Sequence, residues 1–201
     1  MGYSTILDYN DQRNMEIDKR VLFSIVKREN LFSMSKKDFE IYKKAAVFVI
    51  NSATIEQLDS AMKDVRADDA VGLGFYGMIT KFYSEGLIDK ERFVTIMQEI
   101  NYDKNIYCSQ LEYCWIRAIE DIPHKLEEKG IIVMRAIFDS VMPKDERKLK
   151  SLLSSICVYR KYWPLFMEYY PELTIKCIVE REESDRRFIE KELEKDYQED
   201  F

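Results

Sequence analysis

Glycine is scarce in this chain, proline scarcer and histidine nearly absent: six, four and one among 201 residues. An all-β domain of this length needs a reversal every ten residues or so, so few turn formers exclude that class. The single histidine, His124, removes helical di-iron centres, which take two Glu-x-x-His pairs. It leaves any zinc site to cysteines and carboxylates at unusual spacings. The four cysteines (Cys108, Cys114, Cys157 and Cys177) contain no Cys-x-x-Cys pair and are expected to be reduced, buried and apolar in role. No apolar run is longer than Ala45–Ile50, far short of a membrane span. The first twenty residues are polar and charged and lack the apolar core of a signal peptide, so a cytoplasmic protein with no membrane partner is expected. Neither a cofactor nor a metal is expected.

The formal charge is −6, and its distribution is uneven. Residues 180–201 carry ten acidic and five basic side chains, a net of −5, so everything before them is close to neutral. Such a chain has no long-range attraction for a phosphate backbone, which makes nucleic acid an unfavourable partner. A protein with a basic surface would instead be steered toward it.

What is abundant is helical periodicity. One stripe runs through Met15, Leu22, Ile25 and Val26 over residues 11–29. A second helix starts near Ser35 on Phe39, Tyr42, Ala46 and Val49. Thr54 with Gln57 forms a capping box that opens a helix on Ile55, Leu58, Met62 and Val65. Asp68 caps the next, on Val71, Phe75, Met78, Ile79 and Phe82, which stops at Gly86. Asp89 caps another, with Phe93, Met97 and Ile100 inward, and Asp103 opens one that stacks Tyr107, Leu111, Cys114, Ala118 and Ile122. Pro123 suits a first helical turn, with Gly130 ending that short piece. Residues 131–142 fit a buried helix or a buried strand equally, which leaves a small strand near 131–138 open. Lys144 to Lys161 is helical on Leu149, Leu152, Leu153 and Ile156. Pro164 and Pro171 each restart a helix, the last running through Leu173, Ile178 and Val179.

The expected fold is therefore all-α: a single-domain multi-helix bundle or irregular helical stack of nine or ten short helices. Helices this short are marginal alone and depend on packing. Residues 1–179 are expected to be globular and 180–201 to be an acidic helical tail. The tail offers the i,i+4 pairs Glu182–Arg186, Glu183–Arg187 and Arg186–Glu190.

Several motifs resemble chemical sites. Gly72-Leu73-Gly74-Phe75-Tyr76-Gly77 has the Gly-x-Gly-x-x-Gly spacing of a phosphate loop, but polar, cap-like residues precede it where a buried strand is required. It reads as a helix whose glycines admit a close neighbour. Glu85 to Phe93 has the glycine and isoleucine of a calcium loop, yet Lys81, Tyr83 and Arg92 stand where ligands should be. The pairs Glu180/Glu183 and Glu182/Asp185 have Mg²⁺-holding spacing but lie in a solvated, charged stretch.

The most distinctive stretch is 159–170, where Tyr159, Arg160, Tyr162, Trp163, Phe166, Tyr169 and Tyr170 crowd together. Trp, Tyr and Arg dominate binding hot spots because they bury large rigid area at low entropic cost. At helical spacing Trp163, Phe166 and Tyr170 share one face while Tyr162 and Tyr169 share another, and both cannot point into one core. These residues are the candidate partner-binding site of a non-catalytic protein-binding module: an acidic inhibitor, an immunity-type protein, or a viral or phage modulator. The alternative is enzymatic. Arg117 and His124, with six residues between them, resemble the Arg-x(4–6)-His pattern of the HEPN family of helical ribonucleases. That resemblance implies a dimer in which Arg117 and His124 activate a ribose 2′-hydroxyl and stabilise phosphate charge.

Overall fold

A computed structural model describes residues 35–64, 69–100, 109–126 and 129–199. Among them the chain forms nine α-helices, one 3₁₀ turn and no strand. In chain order these are α1 (Lys36–Ser52), α2 (Ile55–Asp64), α3 (Asp69–Ser84), α4 (Lys90–Glu99), α5 (Ser109–Lys125), α6 (Gly130–Ser140), α7 (Glu146–Ile156), the 3₁₀ turn Arg160–Tyr162, α8 (Trp163–Tyr169) and α9 (Pro171–Glu199). The helix expected over 11–29 and the caps expected at Asp68 and Asp103 lie outside the described residues, as does Cys108. The described residues form two compact units, one up to Val141 and one from Met142.

In the first unit α3 is central, packing on α4, α5 and α6. It can do so because it is apolar nearly all round: Phe75, Tyr76, Met78, Ile79 and Phe82 are all buried. Thr80 is buried among them, and its hydroxyl donates to the Tyr76 carbonyl one turn back at 2.7 Å. That bond gives the buried Thr80 hydroxyl its partner. Tyr83 stacks on Phe93 of α4 with ring centroids 4.5 Å apart.

The predicted helix ends are largely the observed ones. The Thr54 backbone N–H donates to Gln57 Oε1 at 2.8 Å and the Gln57 N–H to Thr54 Oγ1 at 3.2 Å. Those two bonds make a reciprocal capping box. Asp89 Oδ1 accepts from the Arg92 N–H at 2.7 Å. At the end of α3, Gly86 adopts φ 70°. Its N–H reaches the Tyr83 carbonyl while the Leu87 N–H reaches that of Phe82, each at 2.9 Å. That pair of bonds is a Schellman motif, and its left-handed residue favours glycine.

Four expectations are corrected, and one left open is settled. Pro123 does not begin a helix; it sits inside the last turns of α5, where the carbonyl it deprives of a donor is near a helix end already short of donors. Gly130 opens α6 instead of ending a helix. The ambiguous stretch is α6, whose buried Val133, Met134, Ile137 and Phe138 fall three and four apart, a helical repeat. Gly77 faces open space within α3, with nothing within 4 Å of an added Cβ, so it admits no close neighbour. The helix expected over 144–161 ends at Ile156 and a separate 3₁₀ turn follows.

In the second unit α9 packs on α7 and α8. Its buried positions are Thr174 and Cys177, not the more apolar Val179, which is exposed. The Thr174 hydroxyl donates to the Phe166 carbonyl of α8 at 3.2 Å. That bond is why a polar side chain is tolerated at a buried position. The Ser154 hydroxyl of α7 reaches the Cys177 sulfur at 3.4 Å. Every residue of α9 from Val179 to Lys191 is exposed.

Candidate functional site

The aromatic segment begins where α7 stops. A helix end leaves backbone carbonyls without donors, and here a side chain supplies one. The Trp163 indole N–H donates to the Cys157 carbonyl at 2.7 Å, which fixes the ring. The Arg160 guanidinium then lies over the indole, 5.5 Å from the ring centroid. That separation is within cation–π range. Pro164, in the first turn of α8, has its backbone angle pre-set for the helix start.

The structure separates the seven predicted residues by depth. Tyr162 and Phe166 are buried, their rings stacked 6.2 Å apart, and form the floor of the segment with Leu165. Arg160 is exposed, and Tyr159, Trp163, Tyr169 and Tyr170 are half-buried. The predicted grouping of Trp163 with Phe166 is therefore not the observed one. Trp163 instead shares the outward line with Arg160, three residues before it, and Met167, four after it and exposed. Met167 was legible as the i+4 neighbour of Trp163, but an apolar Met inside an aromatic run reads as core. Lys161 lies over the Tyr162 ring at 5.3 Å, adding a second cation to the rim.

Beneath the segment, the Cys157 thiol is pushed up to about 12, chiefly by burial, with the neighbouring Cys177 adding and Arg181 opposing. Cys114, Cys157 and Cys177 are all buried free thiols, which suits packing and not nucleophilic chemistry.

The other motifs take ordinary structural places. Gly74 to Gly77 lie within α3, so no amide cluster faces a phosphate there. Glu85 to Phe93 form the α3–α4 corner. Its Glu85 carboxylate meets Lys43 of α1 at 2.5 Å, and that bond holds the acid below its usual range. An open cleft of about 460 Å³ lies beside this pair, lined by Lys43, Lys44, Phe48 and Leu87 among others. In α9, Glu180 pairs with Lys150 at 2.9 Å, Glu183 with Arg187 at 3.6 Å and Asp185 with Arg181 at 3.9 Å. Those carboxylates are committed to cations, and no group of three or more His, Cys, Asp or Glu among the described residues could hold a metal. No helix is long and apolar enough to cross a membrane among the described residues.

Arg117 and His124 are both exposed on α5. They stand two turns apart and hence on the same side, separated by roughly 10 Å along the axis. Arg117 is engaged by Glu120, its Nη1 donating at 2.6 Å. Ala118, next to it, is buried.

No family model, curated protein or solved structure matches this chain.

Proposed function

We propose that this chain is a non-catalytic protein-binding module whose contact surface is the outward line Arg160, Trp163 and Met167, rimmed by Tyr159, Tyr169 and Tyr170. The observation that carries this reading is the immobilised Trp163 ring, held from behind by the Cys157 carbonyl and stacked under Arg160. A ring fixed before binding loses little entropy on capture, the condition under which aromatic and Arg side chains act as hot spots. Tyr162 and Phe166 support that surface from below. An acidic tail on the same chain suits a partner with a basic surface, in the manner of an inhibitor, an immunity protein or a viral or phage modulator acting in the cytoplasm.

A second reading, a HEPN-like ribonuclease, draws on Arg117 and His124 sharing one exposed side of α5.

One experiment tests both readings. The tagged full chain is used to capture partners from native lysate, with protein and RNA identified in the bound fraction. Trp163 also serves the end of α7, so the decisive variant is the surface pair Arg160→Glu/Met167→Glu, checked by circular dichroism for unchanged helicity. Loss of one stoichiometric protein partner in that variant supports the binding reading, and retention of the partner sinks it. RNA shortened by the wild type and spared by His124→Ala would put the ribonuclease first.

A further inference from the structure

Past its contact with α7 and α8, helix α9 is solvated on every side through Lys191, yet it is not uniformly polar. Ile175 is 51% exposed, Val179 47% and Ile189 58%. At about 100° per residue, Ile175, Val179, Glu182, Arg186 and Ile189 fall within one narrow stripe, spaced four, three, four and three apart. This stripe points well away from the packed positions Thr174 and Cys177. A helical stretch with no tertiary cover is marginal in water, and this one leaves apolar side chains in solvent as well.

The order of residues along the stripe is self-complementary. From Val179 on it reads apolar, acidic, basic, apolar. A second copy laid antiparallel about the point midway between Glu182 and Arg186 places each Glu182 opposite the other copy's Arg186. The same two-fold operation places Val179 opposite Ile189. A parallel pairing would instead set Glu182 on Glu182 and Arg186 on Arg186. Within the monomer these two side chains do not satisfy each other: the neighbouring pairs Arg181–Asp185 and Glu183–Arg187 form, while Glu182 and Arg186 make no ion pair among the described residues. Both are therefore available to a partner.

We infer that the exposed face of α9 is a homodimer interface, in which two copies pair as antiparallel helices centred between Glu182 and Arg186. Two-fold contacts of this kind present the same patch from both subunits, so each residue match occurs twice. From Val179 to Ile189 the contact runs roughly 15 Å along each helix, which suits a reversible dimer more than an obligate one. Phe188, 65% exposed, continues the side of α9 that carries Thr174 and Cys177 and stays outside the contact.

Sedimentation equilibrium of the full chain, at concentrations up to roughly 100 µM, tests this against the range expected of a small reversible interface. The mass should rise from 24.0 kDa toward twice that value with concentration. Glu182→Arg alone and Arg186→Glu alone should each raise the dissociation constant at least about tenfold, since each sets like charges together twice. An equimolar mixture of the two variants should regain the dimer, and so should the double swap in one chain. Phe188→Ser should change nothing. All substituted positions are exposed, and circular dichroism checks that helicity is kept. A monomer at every concentration would overturn the inference. A dimer indifferent to the single charge reversals, or one lost with Phe188→Ser, would do the same by placing the interface elsewhere.

Discussion

The guanidinium of Arg92, in the first turn of α4, closes the end of α1: its Nε and Nη2 donate to the Ile50 carbonyl at 2.8 and 2.6 Å, and Nη2 also donates to the Ala53 carbonyl at 2.5 Å. These acceptors sit at and just beyond the last turn of a helix, where intrahelical donors have run out. Burial lowers the Arg92 pKa from its ordinary value, but an arginine remains charged at neutral pH. One side chain therefore ties α4 to the α1–α2 connection through charge-assisted bonds at a helix C-terminus.

Replacing Arg92 with Met should cost about 2 kcal/mol or more, because the carbonyls lose charged donors and are left partly desolvated. Arg92→Lys should recover only part of the loss, since an ammonium cannot reproduce the planar fork. Urea denaturation with unchanged slope and a lowered midpoint is the check. An unshifted midpoint for Arg92→Met would remove the capping role.

Gly77 and Gly86 should answer the same substitution with opposite signs. Gly77 lies mid-helix with open space where a Cβ would go. Gly77→Ala should therefore stabilise by about 0.5–1 kcal/mol. Gly86 also has open space, but its φ of 70° strains any residue that carries a Cβ. Gly86→Ala should accordingly destabilise by about 1 kcal/mol. Thermal denaturation of the two variants side by side decides the matter. A gain at both positions would show that the turn after α3 relaxes.

The raised Cys157 thiol gives an alkaline dependence. A folded pKa of about 12 against an ordinary 9.0 means that the folded state holds its proton more tightly than the unfolded one. The corresponding stability is fully present below pH 9 and is lost as the pH climbs toward 12. Denaturation midpoints for the wild type should therefore fall above pH 9 more steeply than those of Cys157→Ala. Under native conditions, below the ordinary thiol pKa, the Cys157 peptide should be alkylated by iodoacetamide only as fast as the protein opens, as read by mass spectrometry. Rapid labelling would contradict the buried, protonated thiol.

Much of the fold was legible because it is written in local pattern. Spacing of three and four among Tyr42, Ala46 and Val49, and among Phe75, Ile79 and Phe82, identifies helices and their buried faces. Thr54, Asp89 and Gly86 mark ends because capping and left-handed geometry are chemical properties of those side chains. Pattern failed where two rules met. Pro123 carries a start signal, yet the end of α5 tolerates it, and Gly130 carries a stop signal at a helix start.

The candidate site was legible only as composition. Residue order alone establishes that this protein is built of short amphipathic helices, that its single histidine excludes sites that need two, and that residues 159–170 concentrate rigid aromatic area. Which of those aromatics face water was settled by packing. Tyr162 and Phe166 resemble their neighbours in hydrophobic character, but the end of α7 needed a donor, and Trp163 supplied it from the outside. The same holds for α9, where Thr174 is buried beside a carbonyl of α8 that accepts its hydroxyl, while the more apolar Val179 is exposed. Periodicity sets where a stripe can form; which stripe is buried depends on the polar groups waiting on the neighbouring helix.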